Sequence, residues 1–275
     1  MSTHEKNFGV IKSDVFKNDI SYKKCAAFHN SISRGKYLGS SYTAAQRAAI
    51  TSGEFDDLFI GDYWTIGEID YVICHFDYYR NCSDDQVNYH HVVVMPRGNM
   101  TNLSGITVVG SESLANGTFQ WGTSNTGGGY IGSRMRTVIM PACDNKVKAA
   151  FGSDKVHAIS ELYPNSFESA SDGRAKGWSW TSTDLICDLC NETMVYGFQV
   201  WGQGNAFGNM AYEVGIDKWQ LAIFRLDPSF ANTRADWWLR SVHSGSGACR
   251  VTDDGPAYYY GVTNALGVRP RFILS

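Results

Sequence analysis

Trp237-Trp238-Leu239-Arg240-Ser241-Val242, Ala248-Cys249-Arg250-Val251-Thr252-Asp253-Asp254-Gly255 and Gly267-Val268-Arg269-Pro270-Arg271-Phe272-Ile273-Leu274 carry the densest structural signal in the chain. The first run is apolar and strand-like, and His243 to Gly247 after it is a polar turn. The second run alternates at its start. In a strand, Cys249 and Val251 then point to one face and Arg250 and Thr252 to the other. Between Gly255 and Gly261 stand three adjacent tyrosines, Tyr258, Tyr259 and Tyr260. The third run predicts a last strand.

Working back from there, Glu68 to Asp77 is the clearest strand, and Gly67 before it predicts a hairpin. His91 to Pro96 is a second β-branched run. Tyr42 to Ile50 is Ala-rich and helix-prone, with Thr43 as N-cap and Gly53 as stop. Residues 98–133 are rich in Gly, Ser, Thr and Asn, which reads as a long loop or a surface insertion with its flexible point at Thr126 to Tyr130. Arg136 to Phe151 reads as a helix interrupted early by Pro141, and His157 to Tyr163 as a strand. Asp184 to Tyr196 has apolar residues at helical spacing, closed by Gly197.

The chain has 275 residues, with 24 Lys+Arg against 27 Asp+Glu, a net charge of −3. That balance excludes a basic nucleic-acid binder and a polybasic membrane-surface protein. With 43% hydrophobic and 19% charged residues the chain is globular rather than disordered. The 28 glycines and an aromatic content of 13% favour a loop-rich, β-leaning fold. No apolar run approaches the ~18 residues of a membrane span. Met1 to Lys6 is polar and lacks a signal peptide's apolar region, so synthesis in a cytoplasm is expected. The seven cysteines are then expected as reduced thiols, several of them in apolar company as small core residues.

Motifs that would carry chemistry are weak. Cys187 and Cys190 form a C-x-x-C, but no second ligand pair exists for a zinc site, so core packing is the expectation. His90 and His91, with His75, Asp84 and Asp85 upstream, suggest a metal only superficially, because adjacent strand residues point to opposite faces. Gly127, Gly129 and Gly132 satisfy G-x-G-x-x-G, but the residues before them are polar and Gly-bearing rather than a buried strand, so a loop is expected. Carboxylate pairs such as Glu161 with Glu168, or Asp253 with Asp254, carry no weight among 27 acids. No catalytic residue, metal site or cofactor is therefore expected. The tyrosine run differs. At least one ring must face away from the core, and tyrosine gives rigid contact area with a hydroxyl for directed bonds. The other reading, two rings in the core and one on the surface by accident, stays open.

The closing pattern W-W-L-R-S, A-C-x-V-x-x-x-G and G-V-R-P-x-F-x-L resembles the C-terminal C-type-lectin-like domain of phage and prophage proteins of gut Firmicutes. That domain is distantly similar in fold to formylglycine-generating enzymes. Ser33 to Gly39, Tyr42 to Ile50, Phe55 to Ile66 and His90 to Pro96 look like the same group. The resemblance implies an α+β, C-type-lectin-like fold: a twisted mixed sheet, two helices and long loops. It divides the chain into an N-terminal extension, 1–36, and a lectin-like domain, 37–275, with the insertion near 98–133. It implies a non-enzymatic receptor-binding or adhesion protein, carried on a virion. The partners would be a bacterial surface protein or glycan and other virion proteins, with no nucleic acid and no membrane insertion. His243, Ser244, Ser246, Arg250, Thr252, Asp254, Tyr258, Tyr259 and Tyr260 would form the ligand-binding face. In some related proteins that face is diversified by a retroelement, and here Val268-Arg269-Pro270 would be framework. Formylglycine chemistry needs two cysteines late in the fold, and here only Cys249 lies beyond residue 190. The alternative is a structural virion protein, a capsid decoration or tail component, whose tyrosines are buried between copies of the chain. A third reading is an enzyme acting on cell-wall glycan.

Overall fold

The computed structural model describes residues 25–81, 87–167, 175–180, 186–198, 200–201 and 219–275. Met1 to Lys6, Asp84, Asp85, Glu168 and Asp184, named above, lie outside these residues, as does Cys82. The described chain is mixed α+β. Strands β1 (Tyr37–Gly39), β2 (Tyr63–Ile66), β3 (Ile69–Phe76) and β4 (Val92–Pro96) open the first sheet, and β5 (Thr118–Gln120) belongs to a second. After β6 (Val156–His157) come β7 (Leu162–Phe167) and β8 (Ala175–Trp180), which pair with each other. The C-terminal strands are β9 (Trp237–Ser244), β10 (Gly247–Val251), β11 (Ala257–Gly261), β12 (Ala265–Gly267) and β13 (Phe272–Leu274). The first sheet runs β1-β2-β3-β4-β13-β6 and the second β11-β10-β9-β12-β5. The helices are α1 (Ala26–His29), α2 (Ala44–Thr51), α3 (Met140–Phe151), α4 (Glu192–Tyr196) and α5 (Ala222–Leu226). Only α2 and α3 reach two turns, and no helix of the described residues is long and apolar enough to cross a membrane.

Local chemistry explains the elements read correctly from sequence. The Thr43 hydroxyl accepts from the Gln46 amide and the Gln46 side chain accepts from the Thr43 amide, a closed capping box. Gly53 (φ +74°) ends α2 in the left-handed region, and a Cβ there would collide with the His90 ring. Gly67 and Glu68, both at positive φ, make the two-residue turn between β2 and β3, whose register pairs Ile66 with Ile69. The alternation in β10 holds: Cys249 and Val251 are buried, while Arg250 is half-buried.

Other expectations change. The sheet is not single. The closing G-V-R-P-x-F-x-L run starts in the second sheet, at β12, and finishes in the first, at β13. Pro270 has no amide to continue a ladder, so the crossing falls there. Buried Arg269 anchors it, donating to the Phe230 and Pro96 carbonyls and packing over the Phe230 and Trp237 rings. Pro141 does not interrupt its helix. It lies in the first turn of α3, where an amide has no helical partner anyway, and a π-helical turn over Met135–Ile139 leads into it. The strand expected over 157–163 is two strands in different sheets. The helix expected over 184–197 survives only as α4, capped by Asn191. Residues 186–190 are extended instead, because Asp144 takes the Ile186 and Cys187 amides and Asp188 bridges to Arg271. Cys187 and Cys190 are nonetheless fully buried, as core packing requires.

The segments 25–36 and 98–133 both make contacts with residues distant in sequence. In residues 25–36, Asn30 exchanges hydrogen bonds with Phe76, and Arg34 forks onto fully buried Asp62. The polar 98–133 segment is integral to the second sheet. It supplies β5, the Trp121 indole donates to Leu239 O at 3.0 Å, and the Trp238 indole donates to Phe119 O at 2.8 Å. Each buried indole N–H thus finds a carbonyl, which lets Trp121 and Trp238 fill the core without an unmet donor.

His90 and His91 diverge as adjacent strand-like residues do. His90 meets Asp77 at 2.7 Å, while His91 is fully buried, accepts the Tyr79 amide on Nε2 and faces Tyr89 O through Nδ1. Burial pulls the His91 pKa down to about 4. Unfolded imidazole titrates near ~6.5, so above that pH both states are neutral and the ring contributes no pH dependence. Below it the unfolded chain takes a proton that the folded ring refuses. Stability should fall by roughly 3 kcal/mol as pH drops from ~6.5 to about 4. His91→Gln keeps an acceptor for Tyr79 without titrating, so its urea midpoints over that window should be flatter than the parent's. Equal slopes would remove His91 as the cause.

Candidate functional site

β9, β10 and β11 form an antiparallel meander with β11 at the edge of the second sheet. Register sets Tyr258 opposite Arg250, Tyr259 opposite Cys249 and Tyr260 opposite Ala248. Period-two alternation then puts Tyr258 and Tyr260 on the solvent side of the strand, 43% and 42% exposed. The Arg250 guanidinium lies 4.6 Å from the Tyr260 ring centre and 5.7 Å from that of Tyr258, within cation–π range. It is fixed there by an ion pair with Asp236, whose other oxygen accepts the Asp253 amide at 2.9 Å.

Tyr259 is half-buried and stacks on His243, with ring centres 3.6 Å apart and planes 19° from parallel. A residue outside the predicted face completes the group. Trp201 meets Tyr258, Tyr259 and His243 edge-on at 5.5, 5.3 and 5.9 Å. Its indole N–H donates to Ala257 O, and its carbonyl meets His243 Nδ1 at 3.1 Å. Trp201 is 37% exposed, and Val200 and Phe198 beside it are 43% and 64% exposed. The surface is therefore a cluster of four packed aromatic side chains with apolar neighbours, next to an Arg–Asp pair.

The backbone at Trp201 is held from below. Glu192, the first residue of α4, is fully buried, and its carboxylate accepts the Val200 amide at 3.2 Å and the Trp201 amide at 2.9 Å. Cys249 lies against the same carboxylate, and burial together with that negative neighbour pushes its thiol well above the ordinary value. Cys249 is accordingly a core residue with no nucleophilic thiolate. Glu192→Gln replaces one of the two accepting oxygens by an NH2 donor, which then faces a backbone N–H. Hydrogen exchange at Val200 and Trp201 should accelerate about tenfold or more while the sheet amides stay protected. Unchanged exchange would show that Glu192 does not hold this segment.

The predicted face splits into three parts. His243, Arg250, Tyr258, Tyr259 and Tyr260 come together, with Arg250 linking to the tyrosine face and His243 to Trp201. Ser244 and Ser246 lie at the β9–β10 turn, where the Ser244 carbonyl accepts the Thr126 hydroxyl and the Ser246 carbonyl accepts the Val262 amide. Thr252 and Asp254 lie at the opposite end of β10, joined by a 2.6 Å hydrogen bond inside the β10–β11 turn. The signal for Trp201 was legible: Phe198, Val200 and Trp201 are large apolar residues just past the Gly197 stop, where no helix remains to bury them.

Elsewhere the weak motifs have structural explanations. The Gly127, Gly129 and Gly132 amides go to Asn125 Oδ1, Thr126 O and Gly128 O, so they cannot cradle a phosphate. Among the described residues, no group of three or more His, Cys, Asp or Glu could hold a metal ion.

Residues 198–275 match the family DUF6273, a domain of unknown function. No curated protein and no solved structure matches the chain. The matched segment begins at Phe198 and so takes in Trp201 together with β9 to β13.

Proposed function

We propose that this chain is a non-enzymatic ligand-binding protein, a receptor-binding or adhesion protein of a phage or prophage, built on a C-type-lectin-like fold. One observation carries the reading: Trp201, Tyr258, Tyr259 and His243 pack into an aromatic cluster beside exposed Tyr260 and the Arg250–Asp236 pair. Exposed rings already packed against each other lose little freedom on binding, which is why Trp, Tyr and Arg dominate interface energetics. The target is a component of a bacterial surface, and the chain acts as part of a virion. The fold separates roles as a diversified binder needs: Arg269 and Arg271 are locked in the core, while Arg250, Tyr258 and Tyr260 face outward.

The test is binding of the purified protein to a panel of gut Firmicutes cells, with Tyr258→Ala plus Tyr260→Ala as the comparison. Loss of binding at unchanged melting temperature supports the site, and retained binding removes it. The position of β11 as an edge strand of the second sheet also favours assembly between copies of the chain. Loss of an oligomer on size-exclusion chromatography in the same variant, without a change in cell binding, would transfer the tyrosines to that role. Retroelement diversification predicts a near-copy of the codons for residues 235–275 in flanking DNA, differing mainly at adenines. Sequencing that DNA decides it, and an absent copy means fixed specificity.

A further inference from the structure

Two clefts outside the aromatic cluster are lined by polar side chains and apolar surface in about equal measure. The first, about 660 Å³, lies between the β2–β3 turn, the chain after β4 and the loop after α5. Asp70, Asn99, Asp227 and Asn232 line its walls, over an apolar floor that includes Phe230. The second, about 540 Å³, is lined by Asp236, Arg250, Asp253 and Asp254. Arg234 lines both, so the two meet at its side chain. Arg250 lines the second and lies under Tyr258 and Tyr260, so that cleft runs on to the tyrosine face.

Arg234 sits at this junction in a fixed pose. Its φ is +56°, a conformation that L residues rarely adopt, and its amide is held by Asp253 O at 2.9 Å and Asn232 Oδ1 at 3.2 Å. Its guanidinium makes no ion pair or hydrogen bond among the described residues.

We infer that these clefts and the Tyr258–Tyr260 face form one groove that binds a linear, hydroxyl-rich glycan chain. This deepens the adhesion reading above and rests on it. A sugar ring carries hydroxyls on its rim and an apolar face, and this path sets polar side chains beside apolar surface in the same way. It offers carboxylates, side-chain amides and guanidinium groups, which accept from and donate to hydroxyls along an extended chain, and it ends on two tyrosine rings that pack the apolar face of a sugar. Arg234, at the midpoint with a guanidinium that makes no ion pair or hydrogen bond among the described residues, is the central contact.

Binding of the full chain to gut Firmicutes cells is measured untreated, after periodate oxidation of surface glycans, and after proteinase K. Binding is then repeated to polysaccharide released from the cells that bind, with the parent protein and with the double variant Arg234→Ala, Asp227→Asn. The expected result is loss after periodate, retention after proteinase K, and at least tenfold weaker polysaccharide binding by the variant at an unchanged melting temperature. Loss after proteinase K alone overturns the glycan and leaves the adhesion reading standing, with a protein receptor. Equal polysaccharide binding by variant and parent overturns the groove. No binding to any untreated cells removes the adhesion reading and this inference together.

Discussion

Glu161→Gln is expected to cost about 3–5 kcal/mol of folding stability, the range for removing one partner of a buried ion pair. The reason is a charge network closed off from water. Arg271 donates to Glu161 at 2.5 Å, Arg240 pairs with the other Glu161 oxygen, and both guanidinium groups reach Asp188 at 3.5 Å. Asp188 also accepts the Tyr130 hydroxyl at 2.5 Å, the Tyr163 hydroxyl and its neighbour's amide. Glu161, Arg240 and Arg271 are 2%, 6% and 1% exposed, so water cannot replace a lost partner. A neutral glutamine would leave the two buried cations with Asp188 as their shared carboxylate among the described residues.

In a chain of this size the loss corresponds to a fall in thermal midpoint on the order of 10 °C. Urea unfolding of parent and variant at neutral pH measures it, and a difference under about 1 kcal/mol would mean the network is solvated. The pH dependence has a definite sign. Burial pushes the Glu161 carboxyl up, but Arg240 and Arg271 overcome that and hold it below the ordinary value. Its contribution is therefore full above the unfolded carboxyl's pKa and fades as pH falls below it.

The second large effect is on binding rather than stability. Trp201→Ala, and separately Tyr258→Ala with Tyr260→Ala, should each weaken cell binding at least ~30-fold, as expected for hot-spot residues worth about 2 kcal/mol or more. Trp201 carries most of the argument, because one side chain touches Tyr258, Tyr259 and His243 and ties the β11 backbone through Ala257. Its removal should loosen the whole cluster. Both exposed tyrosines can be truncated without opening a core cavity, so thermal midpoints should move by only a few degrees. Titration on immobilised cells gives the affinities. Full affinity in the Trp201 variant would place the ligand elsewhere.

Much of the local structure was written in short-range patterns. The Thr43–Gln46 box, the Gly67–Glu68 turn and the alternation of β10 each depend on residues within a few positions, so propensity and period suffice to find them. The extended segment 186–190 shows where that fails. Its apolar spacing fits a helix, but Asp144, distant in sequence, takes the Ile186 and Cys187 amides, and Asp188 pairs with Arg271 in an antiparallel β-bridge. The same holds for residues 98–133, polar on average yet fastened to β9 by two exchanged indole bonds.

Of the proposed binding face, the sequence by itself determined that at least one tyrosine faces away from the core, because three adjacent rings on a strand cannot all enter it. It also determined that Arg250 shares a strand face with Thr252 rather than Cys249. Only the tertiary structure decided that Trp201 and His243 join Tyr259, that Arg250 underlies Tyr258 and Tyr260, and that Thr252 and Asp254 bond to each other within a turn. The physical reason is that side-chain direction along a strand follows from a period of two residues. Which strands become neighbours, and in what register, is settled by burial and hydrogen bonding summed over the whole chain.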